Sequence, residues 1–172
     1  EGGSGGDTGG SDDPYWDNVL LLINADGKPD GSEDIPDASG NCTVTNVNNV
    51  VVNTSDFVRG TGSADFNSSA NKALICDPDI QTVALGLGDF TIEGWARTTT
   101  TAAQQAIVDF RERSTQGDYP TIMWVGSKGQ LSFYTQSTEK IQCPTSATQN
   151  NAWFHFAAVR TSGTTTLYVS GI

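Results

Sequence analysis

Hydrophobic positions along this chain fall in short runs, most of them alternating with polar residues, and clusters of Gly, Pro, Asn, Asp and Ser separate the runs. Val19-Leu-Leu-Leu-Ile23 is a continuous apolar run, and it predicts a buried strand across Asn18–Asn24. Residues 25–41 are rich in Asp, Gly and Pro and predict a loop. Further strands are expected at Val50–Asn53, Ser63–Asn67, Lys72–Cys76, Phe90–Arg97, Ala106–Phe110, Tyr119–Val125, Gln130–Thr135 and Lys140–Cys143. Within Phe90–Arg97 the period of two puts Phe90 and Ile92 on one face and Thr91, Glu93, Trp95 and Arg97 on the other. Trp153–Arg160 is apolar on both faces, as a strand inside a sheet would be. Turn chemistry at Thr161-Ser-Gly-Thr164 follows, and then Leu167 and Val169 point one way and Thr166, Tyr168 and Ser170 the other. The helical period appears only as a short piece at Pro78–Leu85. Many short strands with regular turn signals predict an all-β, antiparallel two-sheet sandwich.

Composition sharpens this picture at the ends and at the surface. Residues 1–13 are Gly, Ser, Asp and Thr after the first Glu, and read as a flexible arm or linker ahead of one domain spanning 14–172. Only 17% of the residues are charged and the net charge is -11. That balance argues against a nucleic-acid backbone or an anionic membrane as partner, since both recruit Lys and Arg. No run of eighteen apolar residues is present, so membrane insertion by a helix is not expected. The chain starts at Glu1, not Met, which suggests a trimmed chain or a piece of something longer. An extracellular or virion-surface location is expected. Cys42, Cys76 and Cys143 allow at most one internal disulfide. Cys42–Cys76 is the pair to consider, beside the reading of all three as small buried hydrophobes.

Four stretches together resemble one family. Val19-Leu-Leu-Leu-Ile-Asn-Ala-Asp-Gly27 is similar to an opening strand, Gly60-Thr-Gly-Ser-Ala-Asp-Phe66 to a second, and Asp89-Phe-Thr-Ile-Glu-Gly-Trp-Ala-Arg97 to a third. The hairpin from Trp153, with His155, Val159-Arg160 and Leu167-Tyr-Val169, is similar to a closing pair. In this order they resemble the laminin-G-like, concanavalin-A-like lectin jelly rolls. The resemblance implies two antiparallel sheets, one of them curved into a concave face. Such domains usually continue past the closing hairpin with a strand that pairs near the first. The resemblance therefore implies a sandwich lacking its final strand or strands, with the Val19–Ile23 edge open to a neighbour.

Candidate chemistry is sparse. Glycan hydrolases of this type carry acids alternating on one strand, but Glu93 stands alone on its strand, so an enzyme is not expected. His155 is the only histidine, which suits a packed structural residue better than a triad or a zinc site. Asp26, Asp30 and Asp34 make the loop dense in hard oxygen ligands, and calcium is the cofactor they could hold. Sugars stack on aromatic rings. A glycan site would use Trp95 with Glu93 and Arg97, together with Trp124 and Tyr134; the alternative is that the tryptophans pack the sheets. The expected role is a non-catalytic binding or adhesion module on a larger assembly. A virion tail fibre or capsid-surface appendage that binds cell-surface glycan fits best. A structural module contacting neighbouring chains, a bacterial adhesin and, least, a glycoside hydrolase are the alternatives.

Overall fold

The computed structural model describes residues 14–67, 71–77, 85, 88–99, 103–111, 119–135, 138–144 and 151–171. The arm at 1–13 and all but the last residue of the helical piece expected at Pro78–Leu85 lie outside these. The chain divides into two compact units, Glu1–Val83 and Ala84–Ile172. Among the described residues there is a single 3₁₀ turn, Trp16–Asn18, and otherwise only strands, all paired antiparallel.

In the first unit, β1 (Thr43–Val47) pairs with β4 (Ala73–Asp77), and β2 (Val51–Asn53) with β3 (Ser63–Asp65). Ala25, Ile35, Val50 and Val52 form its buried core. Asn48 and Asn49 both adopt positive φ, which lets the chain reverse between β1 and β2. Asn46 fastens this reversal, accepting from the Val50 N–H at 2.9 Å and donating to the Val50 and Glu33 carbonyls.

Two expectations are corrected here. Val19–Ile23 is not a ladder strand; only Ile23 forms a bridge, with Asp37. Its neighbours spend their backbone groups on the following loop: the Leu22 N–H donates to Asp37, its carbonyl accepts from the Ala38 N–H, and the Leu20 and Val19 carbonyls accept from Ser39 and Asn41 side chains. Strand β1 was not expected, because polar Thr43, Thr45 and Asn46 dilute its alternation.

Gly60 lies in this unit at φ +68, where a Cβ would stand 1.8 Å from Asp26 Oδ1. That oxygen accepts the Thr61 N–H at 2.6 Å. Gly60→Ala adds left-handed strain to this clash and is expected to cost about 2 kcal/mol or more. Urea denaturation checks it: a variant as stable as the parent would show that Asp26 is free to move aside.

The second unit is a sandwich. One sheet runs β11 (Thr164–Val169), β10 (Phe154–Thr161), β5 (Phe90–Ala96); the other runs β6 (Gln104–Asp109), β7 (Thr121–Val125), β8 (Gln130–Thr135), β9 (Thr138–Gln142). Between them lie Phe154, Phe156, Ala158, Leu167 and Val169 from the first sheet and Ile122, Trp124, Leu131 and Phe133 from the second. β10 is the central strand of its sheet; Phe154, Phe156 and Ala158 face the core, and His155, Ala157 and Val159 lie on the opposite face. The Thr161–Thr164 pair closes a two-residue turn in which Ser162 and Gly163 both take positive φ, the twist-matched hairpin geometry.

Candidate functional site

The outer face of the β5–β10–β11 sheet is built by alternation. Phe90, Ile92 and Ala96 face the core, so Thr91, Glu93 and Trp95 face outward. The ladder sets Glu93 beside Ala157 and Ala157 beside Tyr168, while Trp95 lies beside His155. Ala157 therefore floors a strip with Trp95 and Glu93 on one flank and Tyr168 on the other. Trp95 is 40% exposed and Tyr168 43%. His155 meets the Trp95 ring edge-on at 5.3 Å, and its Nε2 lies 3.6 Å from Glu93 Oε2. The ring contact orients the indole, and the imidazole and carboxylate supply polar groups beside it. Arg97 is exposed one residue beyond β5. Two strand spacings across and two residues along put the Trp95 and Tyr168 backbones about 12 Å apart. Gly94, between Glu93 and Trp95, packs its backbone against Phe156, where a Cβ would lie 3.2 Å from the ring.

Trp124 and Tyr134 do not join this face. Trp124 is 1% exposed and stacks on Phe154 between the sheets, so its ring has no face left for a sugar. Tyr134 lies on the outer side of the other sheet, because its neighbours Leu131 and Phe133 take the core side. There it belongs to a row across four strands: Asp109, Thr121, Tyr134, Glu139. The Tyr134 hydroxyl donates to Glu139 Oε1 at 3.4 Å, and Lys128 Nζ pairs with Oε2 at 2.9 Å. The Ser132 hydroxyl beside it, with hydrogen bonds from Lys128 and Gln142, outweighs burial and holds the Glu139 carboxyl down at about 2. Asp109 is clamped by Arg111, with Nη2 at 2.6 Å, and accepts from Thr121 Oγ1. Burial raises its pKa, but the Arg111 and Thr121 contacts lower it further, to a net value below the ordinary one. Three strand spacings separate the Asp109 and Glu139 backbones, about 14 Å. Each acid here is also held by its own cation.

The loop carboxylates do not converge either. Asp26 accepts from the Thr61 N–H, Asp30 from the Thr54 N–H at 3.0 Å, and Asp34 pairs with Lys28 Nζ at 2.6 Å. Among the described residues no three His, Cys, Asp or Glu side chains gather as a metal-holding group. Asp26, Asp30 and Asp34 are thus each engaged by a different partner.

The residue that does organise the loop is Asp37. Its Oδ1 accepts from the Leu22 and Ser39 N–H groups at 2.8 and 3.0 Å, and its Oδ2 from those of Asn41 and Cys42 at 2.9 and 3.0 Å. The Ser39 hydroxyl approaches both oxygens. This is a structural hub. Asp-x-Ser-Gly-Asn, an Asp ahead of turn residues, is the signal that could have marked it.

A family model described as the concanavalin A-like lectin/glucanases superfamily, of laminin-G type, matches residues 69–172. The match takes in both sheets of the sandwich; the similar stretches at Val19–Gly27 and Gly60–Phe66 precede it. Comparison with curated proteins and with solved structures finds no match. By its all-β antiparallel sandwich and by this match over more than half its length, the chain belongs to the concanavalin A-like lectin/glucanases superfamily.

Proposed function

We propose that this chain is a non-catalytic glycan-binding module displayed on a larger assembly, with the outer face of β5, β10 and β11 as its ligand surface. The family match supports a carbohydrate-binding or structural module in general. One observation carries the choice: Trp95 and Tyr168 are both exposed on one face, with the small Ala157 between them and Glu93 and His155 at hand. Ring faces take the C–H side of a sugar, and the carboxylate and imidazole take its hydroxyls. The non-catalytic reading rests on the lone Glu93 and on Asp109 and Glu139 each being paired with its own cation. Display on a virion appendage, a tail fibre or capsid surface, is the setting we favour. The Gly-rich composition of 1–13 suits a tether, and many tethered copies turn weak sites into firm attachment.

A glycan array followed by titration tests this. Trp95→Ala and Tyr168→Ala are each expected to weaken binding about tenfold, the equivalent of about 1.4 kcal/mol, while Tyr134→Phe on the opposite face leaves it unchanged. Chelating calcium is expected to leave affinity unchanged as well, since the loop acids are already engaged elsewhere. No binding by the parent chain, with or without calcium, would sink the proposal. A second reading, a structural assembly module, draws on exposed Phe57, Val58 and Phe66 in the first unit. A chain that ignores every glycan yet self-associates with rising concentration would favour it.

A further inference from the structure

Cys42 and Cys76 lie on one side of the β1–β4 pair. Cys76 is directly opposite Val44, and Cys42 is two residues before Val44, so the two thiols are diagonal neighbours on the same face. Both residues are half-buried, and both thiols are free in the structure. Cys42 precedes Thr43, the first ladder residue, and its N–H is held at 3.0 Å by Asp37 Oδ2. A disulfide requires the two Cβ atoms to approach to about 3.5–4.5 Å. Diagonal cross-strand neighbours stand about 7–8 Å apart, so closing the bond requires the Cys42 end of β1 to move toward Cys76.

We infer that Cys42 and Cys76 form a disulfide in an oxidising compartment and that Cys143 stays reduced. Cys143 is committed to the core of the second unit, where its sulfur accepts the Leu131 N–H at 3.0 Å. With oxidised glutathione as oxidant, one cysteine thiolate attacks a glutathione sulfur and expels a glutathione thiolate. The other cysteine then attacks the mixed disulfide and expels the second. Two protein thiols become one disulfide, and one oxidised glutathione becomes two reduced ones. Burial, the Cys76 thiol and the Asp37 carboxylate push Cys42 up to about 12, and burial and Asp37 raise Cys76. Thiolate is therefore scarce at neutral pH, and the bond forms faster as pH rises.

The test equilibrates the full chain with glutathione buffer at mildly alkaline pH, denatures it without reductant, alkylates it and weighs it. One adduct is expected, on Cys143, with peptide mapping joining Cys42 to Cys76. Cys42→Ser should carry two adducts, or one if glutathione stays on Cys76. Reduction should lower the parent's Tm by on the order of 10 °C, and leave that of Cys42→Ser unmoved. Three adducts on the parent, glutathione retained on its Cys42 or Cys76, or a bond to Cys143 would each overturn the inference.

Discussion

Replacing Trp124 by Ala is expected to cost about 3–5 kcal/mol, enough to unfold the second unit or to lower its Tm by on the order of 10 °C. Trp124 sits on β7, an interior strand of the four-stranded sheet, and is 1% exposed. Its ring stacks on Phe154 of the opposite sheet, with centroids 5.9 Å apart and planes 27° from parallel. It therefore joins the two layers, and truncation leaves a cavity on both sides of the sandwich. Trp124→Phe keeps a ring against Phe154 and should lose about half as much. The pair of variants also separates packing from binding. If Trp124 is core, Trp124→Phe shifts thermal unfolding and leaves glycan affinity intact, while Trp95→Ala does the reverse. Abolished binding with an unmoved Tm in Trp124→Phe would return Trp124 to the ligand surface.

The difference between these two tryptophans shows where the sequence speaks and where it falls silent. Phe90–Arg97 alternates because water wets one side of β5 and the core covers the other, so the outward set Thr91, Glu93 and Trp95 could be read directly. The closing hairpin is equally plain, with Leu167 and Val169 buried and Tyr168 exposed. Thr121-Ile-Met-Trp-Val125 gives no such phase: Thr121 and Val125 are buried as well as Ile122 and Trp124, so polarity does not say which side meets the core. Tyr134 follows from the same uncertainty, since its face is fixed by pairing with Thr121 and Glu139. The Val19–Ile23 run departs from the expected strand for a different reason. Apolar character signals burial, but not whether backbone groups go to a ladder or to the caps and side chains of a loop. The acidic loop carries the same lesson in charge. Composition counts carboxylates without saying where they point, and Asp26, Asp30 and Asp34 turn to Thr61, Thr54 and Lys28.

Asp37→Ala should remove about 3 kcal/mol of stability at neutral pH, a large loss for a change outside any hydrophobic core. Asp37 is 8% exposed, and its two oxygens hold four backbone N–H groups that no ladder serves at that point. Alanine strands these donors and releases both the Val19–Ile23 segment and the entry to β1. Asp37→Asn should lose most of the same stability, because its amide NH₂ would face N–H donors where an oxygen now accepts them. The pH dependence identifies the carboxylate as the cause. Burial raises the Asp37 pKa, but the Leu22 N–H, the Ser39 hydroxyl and N–H and the Cys42 N–H lower it more, leaving it below the ordinary 3.8. A folded-state value under the unfolded one makes the contribution complete above about pH 4 and fading as pH falls through the folded value. The gap in unfolding free energy between parent and Asp37→Ala should therefore be widest at neutral pH and shrink in acid below that point. Urea denaturation at both pH values measures the gap. Hydrogen exchange at the amides of Leu22, Ser39, Asn41 and Cys42 locates it, with protection lost there first in the variant. An equal gap at both pH values, or amides that stay protected without the carboxylate, would mean that the loop is held by something other than Asp37.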